Sequence, residues 1–170
     1  MKSPKVAFAL FGLCLVAVGA IIALIAANRG PARPSIEELE QQAVSGGQVT
    51  DQQRAVNQLT ESGSAARPAL RRTLRQAAEP EVKAASIQGL GQLYDYESMD
   101  DLLKALDDPS PLVRGRAGVA VQRLLGADFG FSPELEGEQL EQKITVLKKE
   151  WERMRGSRLL EDFKKRKGVE

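Results

Sequence analysis

Apolar residues recur along the chain with a helical period, and one helical pattern occurs twice. The stretch EPEVKAASIQGLGQL (79–93) matches SPLVRGRAGVAVQRLL (110–125) at an offset of 31 residues. The matched pairs are Pro80 and Pro111, Val82 and Val113, Lys83 and Arg114, Leu90 and Val121, and Leu93 and Leu124. A fixed period in this range indicates stacked supersecondary units. We therefore predict a stack of helix pairs, each about 31 residues long.

The remaining helices of the stack follow from caps and apolar spacing. Ser35 and Glu38 have the spacing of a capping box and predict a helix start. Val56 and Leu59 fall on Ile87 and Leu90 at the same offset, which indicates a degenerate earlier copy. Residues 67–78 and 98–106 are the predicted partner helices. No stretch shows the β-branched alternation of a strand, so an all-α solenoid is predicted over residues 35–126, followed by a loop at 127–137.

Residues 6–27 are uncharged and almost wholly apolar, with Lys2 and Lys5 before them and Arg29 and Arg33 after them. About 20 apolar residues span the hydrocarbon core of a bilayer, so we predict a single transmembrane helix between a short tail (1–5) and a Pro/Gly-containing stalk (28–34). The alternative is a signal peptide, cleaved near residue 20 or 27. The flanking charges favour a cytoplasmic N-terminus, which places most of the chain outside the cytoplasm.

A heptad-like apolar stripe follows the loop, within a predicted helical region at 138–163. Its residues are Leu140, Ile144, Leu147, Trp151 and Met154. The open end of a stack needs a cover, so we expect this region to cap the solenoid. The alternative is a homodimer seam through Leu140, Ile144, Leu147 and Trp151. A basic tail (164–170) contains Lys164–Lys167, which could bind lipid phosphate or RNA. The simpler interpretation is a solvated terminus.

The amino-acid composition limits the kinds of catalytic and binding chemistry that the protein can carry out. The 24 basic and 23 acidic residues give a net charge of +1, so no global field favours nucleic acid. The chain has no histidine, and its one cysteine, Cys14, lies in the apolar run. Catalysis or metal binding that uses histidine or an accessible thiol is therefore not expected. Gly89 and Gly91 lie within a helical pattern, away from the strand-to-helix turn that a dinucleotide site needs. We predict no enzymatic activity, no cofactor and no metal.

Residues 107–126, DDPSPLVRGRAGVAVQRLLG, resemble a HEAT repeat, in the short form of the phycobilisome-lyase-like group. The resemblance is carried by Asp108, Pro111, Val113, Arg114, Ala117, Val121 and Leu124. It implies a short right-handed α-solenoid of HEAT-like helix pairs, here preceded by one transmembrane helix and closed by a C-terminal amphipathic helix. The second helix of each pair would line the concave side. Ala77 stands where Asp108 stands, so an Asp-to-Arg ladder between repeats is expected to be broken.

The candidate partner-binding face lies on the last second helix. Arg116 and Arg123 are seven residues apart and therefore share one helix face, beside Gln92 and Gln122. Such a face would suit a protein partner with acidic groups. The alternative is an ordinary solvated helix face. The leading hypothesis is a membrane-anchored, non-catalytic scaffold or assembly factor. Its alternatives are a lyase-like helper acting on a cofactor-bearing protein, and a tether that uses the basic tail on lipid or RNA.

Overall fold

The structure is a computed structural model, and it describes residues 33–169. These residues form eight α-helices with two short 3-10 helices and no strand, which confirms the all-α prediction for this part of the chain. The helices are α1 (Ile36–Ser45), α2 (Val49–Glu61), α3 (Arg67–Gln76), α4 (Pro80–Gln92), α5 (Met99–Ala105), α6 (Pro111–Leu125), α7 (Gly137–Met154) and α8 (Arg158–Lys167). The 3-10 helices are Gly63–Ala66 and Tyr96–Ser98.

The first six helices form three consecutive pairs, α1 with α2, α3 with α4, and α5 with α6. The second helices stack in order, with α4 between α2 and α6. Each pair also packs internally, and α1 packs on α3. Stacking of this kind buries the apolar side of every pair against its neighbour, as expected for an α-solenoid.

Local signals explain where the helices begin and end. The Ser35 side chain accepts a hydrogen bond from the Glu38 amide while Glu38 accepts one from the Ser35 amide, which confirms the predicted capping box. Pro80 and Pro111 occupy the first turns of α4 and α6, where a missing N–H is tolerated. Gly126 ends α6 in the left-handed conformation, which glycine adopts without steric cost.

The core follows the 31-residue period. Leu59, Leu90 and Val121 are fully buried at equivalent positions of the three second helices, and so are Val56 and Ile87 one turn earlier. The next equivalent of Val56 and Ile87 is Gly118, which has no side chain to contribute. The Phe131 ring from the following loop lies against that glycine. A residue outside the repeat thus covers a core position of the last pair.

Contacts at the turns between helices partly replace the Asp-to-Arg ladder that was expected to be broken between repeats. Lys83 Nζ lies 3.5 Å from Asp108 Oδ2, which joins the second pair to the third. One repeat earlier, the position of Lys83 is Gln52, whose side-chain amide donates to the carbonyls of Val44 and Gly46 instead. Position 77, which corresponds to Asp108, is an alanine. As expected, it offers no carboxylate for a second ion pair between repeats.

The apolar stripe of α7 faces the stack. Its five residues, Leu140, Ile144, Leu147, Trp151 and Met154, are buried within the chain, and α7 packs against α5 and α6. This arrangement matches the capping alternative. The homodimer seam through the first four of these residues stays a prediction, because a single chain does not test it.

The C-terminal segment differs from the predicted basic tail. Lys164–Lys167 form the last turn of α8, which begins after Ser157 accepts a hydrogen bond from the Leu160 amide and ends at Gly168. Gly156, with a positive φ, separates α7 from α8, so the predicted region at 138–163 is two helices.

No helix between residues 33 and 169 combines the length and the apolar character needed to cross a bilayer. The predicted transmembrane helix at 6–27 lies outside the described residues, as does almost all of the stalk at 28–34.

Candidate functional site

An exposed stripe of alternating apolar and basic residues runs along α6. Leu112, Arg116, Val119 and Arg123 are spaced by four, three and four residues, so they share one side of the helix. Leu112 is 43% exposed and Val119 is 56% exposed. The opposite side of α6 supplies core residues such as Val113 and Val121.

The stripe borders three depressions. Two extend over α4, one of them also over α2, and the third lies on α6 and the loop after it. One is lined by Gln92, Arg116, Val119 and Arg123, and a second joins Arg116 and Leu112 to Gln53 and Asn57. The third is apolar and includes Leu112, Val119 and the ring of Phe131. We call this surface the second-helix face; it comprises Gln53, Asn57, Ala85, Gln88, Gln92, Leu112, Arg116, Val119 and Arg123.

The two arginines of this face have no acidic partner among the described residues. Of the side chains between residues 33 and 169 that line the three depressions, only Glu81 is acidic.

In the first helices of the pairs, by contrast, arginines have acidic partners. Arg72 of α3 holds Glu40 of α1 through two bonds of 2.6 Å, and Arg75 of α3 lies 2.8 Å from Asp101 of α5. Basic side chains on that side serve contacts within the stack, whereas Arg116 and Arg123 remain available to a partner.

Comparison with known families identifies the repeat. A family model described as HEAT repeats matches residues 36–124, which is slightly more than half of the chain. The chain belongs to the HEAT-repeat family. This confirms the resemblance seen in residues 107–126 and extends it over all three helix pairs. HEAT repeats commonly serve as protein-interaction modules. Comparison with curated proteins and with solved structures finds no match.

The HEAT stack places the four predicted partner-binding residues on two depressions that share Arg116 and Val119. Gln92, Arg116 and Arg123 line one of them. Gln122 lines the other. It also supports the loop after α6, because its Oε1 atom accepts hydrogen bonds from the amides of Phe129 and Phe131 at 2.8 and 3.4 Å.

Sequence reasoning missed the apolar half of the HEAT surface. Leu112 and Val119 carry the same spacing signal that linked Arg116 to Arg123, since all four lie on one helical stripe. The signal was hidden because α6 is apolar on most sides, so the exposed aliphatic residues resemble core positions in the sequence.

The basic segment of α8 is largely engaged within the HEAT protein itself. Lys164 Nζ lies 3.1 Å from Glu161, and Lys167 Nζ lies 4.8 Å from the centre of the Tyr94 ring. Arg166 lies over the Phe163 ring at 4.5 Å. Cation–π contacts of this kind hold the basic groups against the protein surface, which gives the tether hypothesis no specific support.

The search for a metal centre gives a negative result within the described HEAT stack and its cap. No group of three or more histidine, cysteine, aspartate or glutamate residues between positions 33 and 169 has a geometry that could hold a metal ion.

Proposed function

We propose that this HEAT-repeat protein is a non-catalytic scaffold or assembly factor that binds an acidic amphipathic segment of another protein on the second-helix face. The observation that carries the proposal is the α6 stripe, where the exposed Leu112 and Val119 alternate with Arg116 and Arg123, which form no ion pair with any residue from 33 to 169. A partner helix with aliphatic residues and carboxylates at matching spacing would bury the apolar groups and pair both arginines.

Arginine and aliphatic groups contribute differently to such an interface. Desolvated arginine pairs rank among the interface residues whose loss weakens binding most. The apolar contacts supply the nonspecific part of the affinity, roughly in proportion to the area they bury. We therefore expect the arginines to select the partner and Leu112 and Val119 to hold it.

The test begins with a photo-crosslinking amino acid at Val119 in the full-length protein in cells. The matched control is the same group at Val146 of α7, which is 50% exposed and lies outside the second-helix face. The proposal expects a partner captured from position 119 and not from position 146. Equal capture from both positions would contradict it.

The affinity of the purified partner then tests whether the positive charges of Arg116 and Arg123 contribute to binding. Arg116→Glu and Arg123→Glu should each weaken the affinity about tenfold or more, because each removes an ion pair and introduces repulsion. Arg158→Glu is the control, since Arg158 is exposed on α8. An affinity that is unchanged by both substitutions would overturn the proposed face.

Assays of the same purified protein distinguish the alternative functions from the proposed one. Turnover or a retained pigment would favour the lyase-like helper that the phycobilisome-lyase-like resemblance suggests. Loss of lipid or RNA binding on deletion of Lys164–Lys167 would favour the tether. The proposed scaffold requires neither.

We also propose that the scaffold is held at a membrane by residues 6–27, with the repeats outside the cytoplasm. This part of the proposal rests on the length and apolar character of that segment and on the flanking charges.

A further inference from the structure

A groove runs along the seam between α4 and α6, which are the second helices of the second and third repeats. Its beginning is marked by Glu81 and Leu112, which occupy equivalent positions in the first turns of the two helices. Ala85 and Arg116 are the next equivalent pair, one turn later. These four residues line one depression of about 280 Å³.

The groove continues through an adjoining depression of about 140 Å³. Its edges carry two further equivalent pairs, Gln88 with Val119 and Gln92 with Arg123. The two depressions share Gln88 and Arg116, so the groove extends from the first turns of both helices to their last turns. Its ends lie about 16 Å apart, which corresponds to three turns of a bound helix.

Small residues form the floor of the groove. Ala84, Gly91 and Ala120 line it and are buried. A Cβ atom at Gly91 would lie only 3.0 Å from the Cβ atom of Ala120, so α4 and α6 are in close contact at this point. The longer side chains therefore stand along the two edges, and the floor between them can accept the side chains of a helix laid along the groove.

The charges of the groove are separated along its length. Among the described residues that line it, Glu81 alone is acidic and lies at its beginning, whereas Arg116 and Arg123 lie at its middle and its end. Like the two arginines, Glu81 is exposed and forms no ion pair with any residue from 33 to 169. A segment that pairs with all three groups must carry a cation at one end and carboxylates at its middle and its other end.

A helix has a preferred order of charges. Carboxylates are favoured near its N-terminus and cations near its C-terminus, because the unpaired N–H and C=O groups give the two ends opposite partial charges. A helix that presents carboxylates to Arg123 and a cation to Glu81 therefore has its N-terminus beside Arg123. This direction is antiparallel to α4 and α6, so the helix ends that adjoin have opposite partial charges.

We propose that the partner's segment is an α-helix that lies in this groove antiparallel to α6. From its N-terminus it presents a carboxylate to Arg123, an aliphatic residue to Val119, a carboxylate to Arg116, an aliphatic residue to Leu112 and a lysine or arginine to Glu81. This inference rests on the proposed function of the second-helix face and adds the direction of the bound helix.

Glu81 determines the direction in this arrangement. A helix bound the other way round would place a carboxylate against Glu81 and a cation against Arg123. Both contacts repel, and like charges placed together discriminate strongly between binding modes. Glu81 is thus a specificity-determining residue at the border of the second-helix face.

Two photo-crosslinking positions measure the direction in the full-length protein in cells. The crosslinking amino acid replaces Leu112 in one variant and Gln92 in the other, because these positions line opposite ends of the groove and neither replacement removes a charge. Mass spectrometry identifies the captured partner residues. The residue captured from position 92 should precede the one captured from position 112 in the partner's sequence, by about 11 residues for three helical turns.

Charge reversal tests Glu81 separately, with a synthetic peptide of the captured segment as the probe. Glu81→Lys should weaken the affinity about tenfold or more, because the new charge repels the peptide's basic residue. Glu79→Lys is the matched control, since it makes the same change at the start of α4 but Glu79 does not line the groove. A peptide whose basic residue is replaced by glutamate should recover binding to the Glu81→Lys variant. Melting curves establish that both variants are folded.

The possible failures are distinguishable. The reverse order of captured residues, or the same partner residue captured from both positions, would overturn the direction and leave the second-helix face in place. Equal effects of Glu81→Lys and Glu79→Lys would overturn the role of Glu81. If nothing is captured from positions 92, 112 and 119, or if Arg116→Glu and Arg123→Glu leave the affinity unchanged, the proposed function itself fails and this inference with it.

Discussion

Phe131 lies against Gly118 so closely that no side chain fits between them. A Cβ atom at position 118 would lie 2.9 Å from Cε1 and 3.1 Å from Cγ of the Phe131 ring. Gly118 is the equivalent of Val56 and Ile87 in the first two repeats, both of which are fully buried. The ring from the loop therefore covers a position that the earlier repeats fill from within the helix.

Two glycines of α6 provide a matched test of this contact. Gly118→Ala should destabilise the protein, because displacing or overpacking the ring costs about 1–3 kcal/mol, more than the roughly 1 kcal/mol gained in helix propensity. Gly115→Ala should be stabilising, since its added Cβ would meet Pro133 at an ordinary 3.4 Å. Denaturant unfolding of both variants measures the difference. Equal effects would mean that the Phe131 contact is not formed.

Arg114 and Arg116 lie two residues apart on α6 but have different roles. Arg114 is buried and donates to the carbonyls of Asp108, Pro109 and Pro133 at 2.6–3.1 Å. Arg114→Leu should destabilise the protein by about 1–3 kcal/mol, because three partly buried hydrogen bonds from a charged donor are lost. Arg116→Leu should change stability by less than about 0.5 kcal/mol, as is usual at exposed positions, while weakening partner binding. The reverse order of stabilities would contradict this assignment.

The capping role of α7 predicts a further contrast between neighbours. Leu147 is fully buried, whereas Val146 is half exposed. Leu147→Ala should cost about 2–5 kcal/mol in unfolding free energy, and Val146→Ala should cost little. The emission of Trp151, the only tryptophan of the chain, reports the loss of the cap. A midpoint that depends on protein concentration would instead indicate stabilisation by dimerisation.

Asp95 predicts a specific pH dependence. Its pKa is raised mainly by burial, so the folded state holds this proton more tightly than the unfolded state does. Stability from this group is therefore complete below the ordinary aspartate pKa of about 4 and is lost as the pH rises through the raised value. The Asp95→Asn variant has no proton to release at this position. Its free energy of unfolding, relative to that of the unchanged protein, should therefore increase as the pH rises from acid to neutral. Urea unfolding at several pH values measures this, and a relative stability that declines with pH would contradict it.

The proposed membrane anchor at residues 6–27 predicts a defined pattern of protease protection in intact cells. Residues 35–170 should be digested from outside while residues 6–27 remain in the membrane. Protection of the whole chain with an intact N-terminus would instead place the repeats in the cytoplasm. Mass spectrometry that finds a mature end near Ala20 or Asn28 would replace the anchor with a cleaved signal peptide.

Much of the fold was predictable because it depends on short-range patterns. The Ser35–Glu38 capping box and the first-turn prolines act within a few residues, and the 31-residue period repeats such local patterns along the chain. Together they predicted the three helix pairs. A helix pair cannot bury its apolar side alone, so the period also implied stacking. The α7 stripe predicted a buried side but could not distinguish a cap from a dimer seam, since both bury the same residues.

The candidate site was predictable only in part. Spacing on one helix correctly placed Arg116 and Arg123 together. The hydrogen bonds that Gln122 Oε1 accepts from the amides of Phe129 and Phe131 were not predicted, because these donors lie in a loop whose path no local pattern specifies. The role of Lys164–Lys167 depended on Tyr94 and Phe163, which are brought near only when α8 packs back on the stack.

The sequence by itself determined the 31-residue repeat, the starts of several helices and the absence of histidine, because these are read from composition, from a repeated pattern and from neighbours within one or two turns. Only the tertiary structure decided that Phe131 covers Gly118, and that Arg114 is structural while Arg116 has no ion-pair partner among residues 33–169. Phe131 and Pro133, which contact Gly118 and Arg114, lie in the loop after α6. Their positions result from the packing of that loop on the helix, and the order of residues along the chain does not encode them in any local pattern.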